Sequence, residues 1–160
     1  MSRTAFSRCF CAVLPLLALL AGAVIAPTEA GAQVSHRLAS VHVVGNDRGG
    51  RLQPRLAEIR QLRSQGVRVE IRGNFCLSSC TLYLGAGDVC VASNTRFGFH
   101  GPYYRFKPIS PDRFDYWSRR MAEHYPAPLR DWFLSEARFV SNGYVSLSGA
   151  ELIRMGVPRC

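Results

Sequence analysis

Apolar and polar positions between residues 39 and 160 follow two periods, and the switches between them mark the elements. Ala39 to Val44 (ASVHVV) is a β-branched run that predicts a buried strand, closed by the turn residues Gly45-Asn46-Asp47. Arg48-Gly49-Gly50 follows. Leu52, Leu56, Ile59 and Leu62 then recur at helical spacing, with Pro54 tolerated in the first turn and Gly66 at the end. Val67 to Ile71 predicts a second strand, so the unit is strand, glycine loop, helix, strand, which handedness makes a right-handed parallel crossover. Beyond it the pattern predicts a helix from about Ser79 to Ala86 and short strands at Cys90 to Ala92 and Phe97 to Phe99. Ser110-Pro111-Asp112 opens a helix carrying Phe114, Trp117 and Met121 on one face; it stops before Pro126. Further helices are expected from about Leu129 to Val140 and from Ser148 to Met155. The fold class is α/β, with parallel crossovers and flanking helices.

Two of the predicted strand ends carry chemistry. Ser78 and Ser79 stand at a strand-to-helix turn, where the first helical N–H groups are unpaired and the dipole is positive, so an oxyanion forming there is stabilised. His100 follows the apolar strand Phe97 to Phe99 directly, ahead of the loop Gly101-Pro102-Tyr103-Tyr104. A serine hydroxyl is a poor nucleophile until an imidazole takes its proton. The plainer reading of Ser78 is a helix cap, and of His100 a strand-end histidine bonded to a loop carbonyl; both stay open at this level. His36, His42 and His124 have no acid or serine at motif spacing and read as ordinary.

The chain of 160 residues fits one domain with one core. Its first 32 residues read as a secretory signal: Arg3 and Arg8, an apolar run from Ala12 to Ala26, then Ala30-Gly31-Ala32 as a small-x-small cleavage site, leaving 33–160 as the domain. The apolar run is shorter than the roughly 20 residues of a spanning helix and contains Pro15, and no later segment is long enough to span. A periplasmic or secreted location follows. Of six cysteines, Cys9 and Cys11 precede the cut; Cys76, Cys80, Cys90 and Cys160 remain, and an oxidising compartment makes disulfides the first expectation. Cys76–Cys80 with Cys90–Cys160 is the favoured pairing of three, since the short ring stiffens the serine turn and the long one ties down the C-terminus. Zinc on Cys76, Cys80 and His100 is the competing use of those ligand types. The net charge is +9, but its arginines are dispersed without interleaved aromatics, so nucleic acid is not an expected partner.

Taken in order, Gly49-Gly50, Cys76-Leu77-Ser78-Ser79-Cys80, Ala86-Gly87, Phe99-His100-Gly101-Pro102 and Leu147-Ser148-Gly149-Ala150-Glu151 resemble the Clp-protease proteolytic subunit within the Clp/crotonase superfamily. The resemblance is greatest to its small predicted periplasmic proteins with a C-x-S-x-C turn and a G-F-H strand end, and covers about Ser40 to Val157. It implies a Clp/crotonase-like sheet, Ser78 as nucleophile, His100 as general base, and an oxyanion hole from the N–H of Ser79 and one from Gly49 or Gly50. No cofactor or metal is implied. Two departures accompany it. The family's orienting acid aligns with about Tyr144, leaving Asp112, Asp115 and Asp131 as substitutes by residue type. The family's first strand and helix, before the glycine loop, have no counterpart, so the domain reads as N-terminally truncated. Its leading sheet edge is then exposed unless the arm from Gln33 to Leu38 or another chain covers it, which favours a homo-oligomer.

The function expected is a serine hydrolase, peptidase-like, acting on a peptide or other acyl substrate through a Ser78–His100 dyad. The alternatives are a non-catalytic binding or assembly module that keeps the fold, and thiol–disulfide chemistry at Cys76 and Cys80.

Overall fold

A computed structural model describes residues 40–160. The expected signal sequence and cleavage site, Cys9, Cys11, His36 and the arm from Gln33 to Leu38 lie outside the described residues. Strand β1 (Val41–Val44) leads through the glycine loop into helix α1 (Leu52–Ser64), and β2 (Arg68–Ile71) returns parallel to β1, pairing Val41 with Arg68 and Val44 with Ile71. The periodicity of α1 works as its sequence suggests: Leu56, Ile59 and Leu62 are buried on one face, while Gly66, at φ 64°, turns the chain into β2. In β2 the alternation places Val69 and Ile71 in the core.

The serine stretch departs from the expected strand-turn-α-helix pattern. Gly73 and Asn74 break the chain after β2, and Phe75–Leu77 forms a separate three-residue strand, β3. The helix that follows, Ser78–Gly85, is 3-10 rather than α. Strand β4 (Val89–Val91) then pairs parallel with β2, and β5 (Arg96–Phe99) pairs parallel with β3. Helices α2 (Pro111–Ala122) and α3 (Ala127–Ser135) pack as expected, but the long helix foreseen to Val140 ends at Ser135; Ala137–Phe139 is a short 3-10 turn that leaves Phe139 exposed. A strand not foreseen, β6 (Val145–Ser148), pairs antiparallel with β5 and runs into α4 (Gly149–Arg154), which Ser148 and Glu151 start with a reciprocal capping box.

The strands form two three-stranded sheets, in orders β1-β2-β4 and β3-β5-β6. A parallel bridge between Asp47 and Cys76 joins the glycine loop to β3, and another between Val91 and Arg159 holds the C-terminal segment on β4. One buried cluster includes Ile59, Val69, Ile71, Leu82, Val91, Phe97, Phe99, Leu129, Phe133 and Leu152. The expectation of a buried first strand does not hold. β1 is an edge, with Val41 49% and Val43 58% exposed, and Val44 is its buried residue. Among the described residues no helix is long and apolar enough to cross a membrane.

Candidate active site

Parallel pairing of β3 with β5 places Leu77 opposite Gly98, so the residues just past the two strand ends, Ser78 and His100, emerge side by side. Their contact is direct: His100 Nε2 lies 2.7 Å from Ser78 Oγ. The other ring nitrogen, Nδ1, is 2.6 Å from the backbone oxygen of Gly101. A carbonyl only accepts, so Nδ1 carries the proton and Nε2 is left as the acceptor for the serine hydroxyl, the tautomer a general base needs. Gly101 is itself fixed. Its N–H donates to Val140 O at 3.2 Å, and a Cβ on it would fall 1.8 Å from the oxygen of Arg138, so only glycine fits against that segment.

His100 is buried, 8% exposed, and burial holds its pKa below the ordinary 6.5 despite the opposing hydrogen bond to Gly101. The rings of Tyr103 and Tyr144 flank the imidazole, each centroid 5.4 Å away. A cleft of about 270 Å³ opens beside it, lined by His100, Tyr103, Tyr144 and the segment Ser141 to Gly143. The acids considered as substitutes for a third residue are elsewhere. Asp115 is paired with Arg119 and Arg138, Asp131 with Arg130, and Asp112 is exposed in the first turn of α2.

Ser78 is the one non-glycine residue with positive φ among those described, at 56°. A left-handed conformation costs an L-residue about 1–2 kcal/mol, so its surroundings must enforce it. Three do. The Cys76–Cys80 disulfide closes a ring over the turn. Thr81 Oγ1 donates to Ser78 O at 2.8 Å and is itself 2.8 Å from the hydroxyl of the buried Tyr125, whose pKa burial pushes up. Asp47 accepts Leu77 N–H on its backbone oxygen at 2.9 Å, which fixes the strand up to the turn. Thr81 and Tyr125 carry no motif by which sequence reasoning could have found them.

The glycine pair faces this turn. Gly49, at φ 87°, has its would-be Cβ 2.6 Å from Leu77 O and Ser78 Cβ and 3.0 Å from Ser79 N, so its missing side chain is the space in front of the Ser79 amide. The two glycines are not equivalent as donors. Gly49 N–H is taken by Asp47 Oδ1 at 2.7 Å, whereas Gly50 N–H has no protein acceptor among the described residues. Ser79 N–H, in the first turn of the 3-10 helix, is likewise without one, and the buried Ser79 Oγ has no partner.

The cysteines form both expected disulfides, Cys76–Cys80 and Cys90–Cys160, with Cα separations of 5.3 and 4.9 Å. That removes the zinc alternative at Cys76, Cys80 and His100, because no thiolate is left to ligate. Of the other described histidines, His42 lies at a tilt against the Tyr83 ring, 5.5 Å between centroids, and His124 lies beside Gly85 with its pKa lowered by burial.

Neither a family model nor a curated protein sequence matches the chain. Among solved structures it is similar to the membrane-bound stomatin-specific protease 1510-N, in a serine-to-alanine mutant form, with a TM-score of 0.56 at 17% identity. The likeness covers 74% of this chain, which spans 62% of that protein. At that identity the likeness establishes the fold alone: a mixed α/β domain with parallel strands and flanking helices.

Proposed function

We propose that this chain is a serine hydrolase of peptidase type, acting by acyl transfer through Ser78 with His100 as general base. The observation that carries the reading is the 2.7 Å contact between His100 Nε2 and Ser78 Oγ, on a serine whose backbone is held at positive φ. Ser78 Oγ attacks the acyl carbonyl as its proton passes to Nε2. The oxyanion is received by the N–H of Ser79 and the N–H of Gly50; losing one such donor typically costs about 10²- to 10³-fold in turnover. The imidazolium then protonates the leaving group, and water, deprotonated by the same nitrogen, releases the acyl group from Ser78.

The Gly101 carbonyl performs half the work of a triad carboxylate. It fixes tautomer and ring orientation, yet brings no full charge to stabilise the imidazolium. In triads, replacing the carboxylate by an amide costs about 10⁴-fold, largely through the wrong tautomer; that loss is avoided here, and a smaller one from missing charge remains. We place the mature domain in the periplasm or outside the cell, after removal of residues 1–32, a setting that two disulfides fit. Self-association through the exposed β1 edge belongs to the same proposal.

The test is labelling of the disulfide-intact protein with a fluorophosphonate. Wild type labels and Ser78→Ala does not. A wild type that stays unlabelled across pH 5 to 9, as monomer or assembly, refutes the hydrolase and leaves a binding module on the same scaffold.

A further inference from the structure

We infer that Asp47 is a positioning residue for the oxyanion site: by occupying the Gly49 amide it commits the glycine loop to offering the Gly50 amide. The inference rests on the serine hydrolase reading and adds to it a residue outside the expected motif.

Asp47 is bonded on four sides. Its N–H donates to Phe75 O at 3.1 Å and its own oxygen accepts Leu77 N–H at 2.9 Å, so it is paired to the strand that ends at the nucleophile. One carboxylate oxygen accepts Gly49 N–H at 2.7 Å, an Asx turn two residues long. The other accepts Arg55 Nη2 at 2.6 Å, in an ion pair whose side chains are 20% and 13% exposed. Arg55 in turn bonds Glu58 at 3.1 Å and the Tyr83 hydroxyl, and its guanidinium lies over the Tyr83 ring, 4.3 Å from the centroid. Tyr83 belongs to the 3-10 helix that Ser78 opens. One residue thus joins the nucleophile strand by its backbone, the glycine loop by its carboxylate and, through Arg55, helix α1 and the 3-10 helix.

The consequence is chemical. Two adjacent glycine amides without a fixed loop would sample many orientations, since glycine is the least restricted residue. The Asx bond removes one amide from competition and fixes the peptide plane that precedes the other. Gly49 then leaves its missing Cβ volume open in front of Ser79 N, and Gly50 N–H is the loop donor left unspent. Arg55 holds the carboxylate in place from its other oxygen, so the Asx turn cannot rotate away.

Two substitutions separate positioning from mere folding. Asp47→Ala loses both the Asx bond and the Arg55 pair. Asp47→Ser loses the same pair but keeps an oxygen able to accept the Gly49 N–H, more weakly. Both melt several degrees lower than wild type. The fluorophosphonate labelling rate falls about 100-fold in Asp47→Ala, the loss of one oxyanion donor, whereas Asp47→Ser stays within about tenfold of wild type. Amide exchange gives a second readout that needs no activity: Gly49 N–H is protected in wild type and exposed in Asp47→Ala, while Gly50 N–H shifts when wild-type Ser78 is phosphonylated. Equal rate losses in the two variants, tracking their melting temperatures, overturn the positioning role, as does a freely exchanging Gly49 amide in a wild type that labels. A wild type that never labels overturns the hydrolase reading, and the positioning role of Asp47 falls with it even if Gly49 is protected.

Discussion

The two disulfides divide stability from reactivity, and removing them one at a time exposes the division. Cys76 and Cys80 are separated by 4 residues in sequence and Cys90 and Cys160 by 70. Chain-entropy reasoning assigns about 2 kcal/mol to closing the short loop and about 4.4 kcal/mol to the long one. On stability alone, Cys90→Ala/Cys160→Ala is therefore the more damaging pair. Reactivity runs the other way, because the short ring surrounds Ser78, whose φ of 56° stores about 1–2 kcal/mol. If opening the ring lets the turn relax by that amount, the competent conformation loses roughly 5- to 30-fold in population. Cys76→Ala/Cys80→Ala should lower the fluorophosphonate rate by that factor while costing less in denaturant unfolding. The other pair should unfold at much lower urea yet label at the wild-type rate wherever it is still folded. Wild-type labelling in the short-ring variant, or a larger stability loss from it than from the long ring, would refute the reasoning.

Other outcomes follow from the same geometry. His100 is neutral when it acts and burial lowers its pKa, so the rate should rise with pH around a midpoint below 6.5 and level off above it. The sign for folding is the same: stability is fully present above the unfolded value near 6.5 and is lost as pH falls through the lower folded value, with His124 adding in the same direction. Gly49→Ala combines a left-handed residue with contacts of 2.6 Å to Leu77 O and Ser78 Cβ; calorimetry should show a loss of about 2–5 kcal/mol, and labelling should fall below detection even where the variant folds.

The sequence exposed those features that depend on motif order. Cysteine count and the expectation of export made both disulfides foreseeable, and the order of a serine turn and a strand-end histidine anticipated their meeting, which parallel pairing of β3 and β5 brings about. What it hid was backbone. The plainer reading of His100, a bond to a loop carbonyl, describes its Nδ1, whose partner is the oxygen of Gly101; that such a carbonyl stands where a third acid was expected, with Asp112, Asp115 and Asp131 as substitutes, is announced by no side chain. β3 has three residues, and β6, although Val145-Ser146-Leu147-Ser148 alternates, runs straight into the last helix; with β5 the two form the second sheet. Asp47 was visible only as a turn residue, although its place two before Gly49 is the Asx-turn spacing, and its reach to Arg55 depends on α1 folding back past the loop.

The central claim is that the Ser78 hydroxyl is made reactive by the imidazole beside it, and one measurement addresses it directly: the phosphonylation rate of wild type and His100→Gln at pH 7.5, with the modified residue located by peptide mass spectrometry. A wild-type adduct on Ser78, with the rate in His100→Gln reduced at least 100-fold, is the expected result. An adduct at another residue, or equal rates in the two proteins, would contradict it.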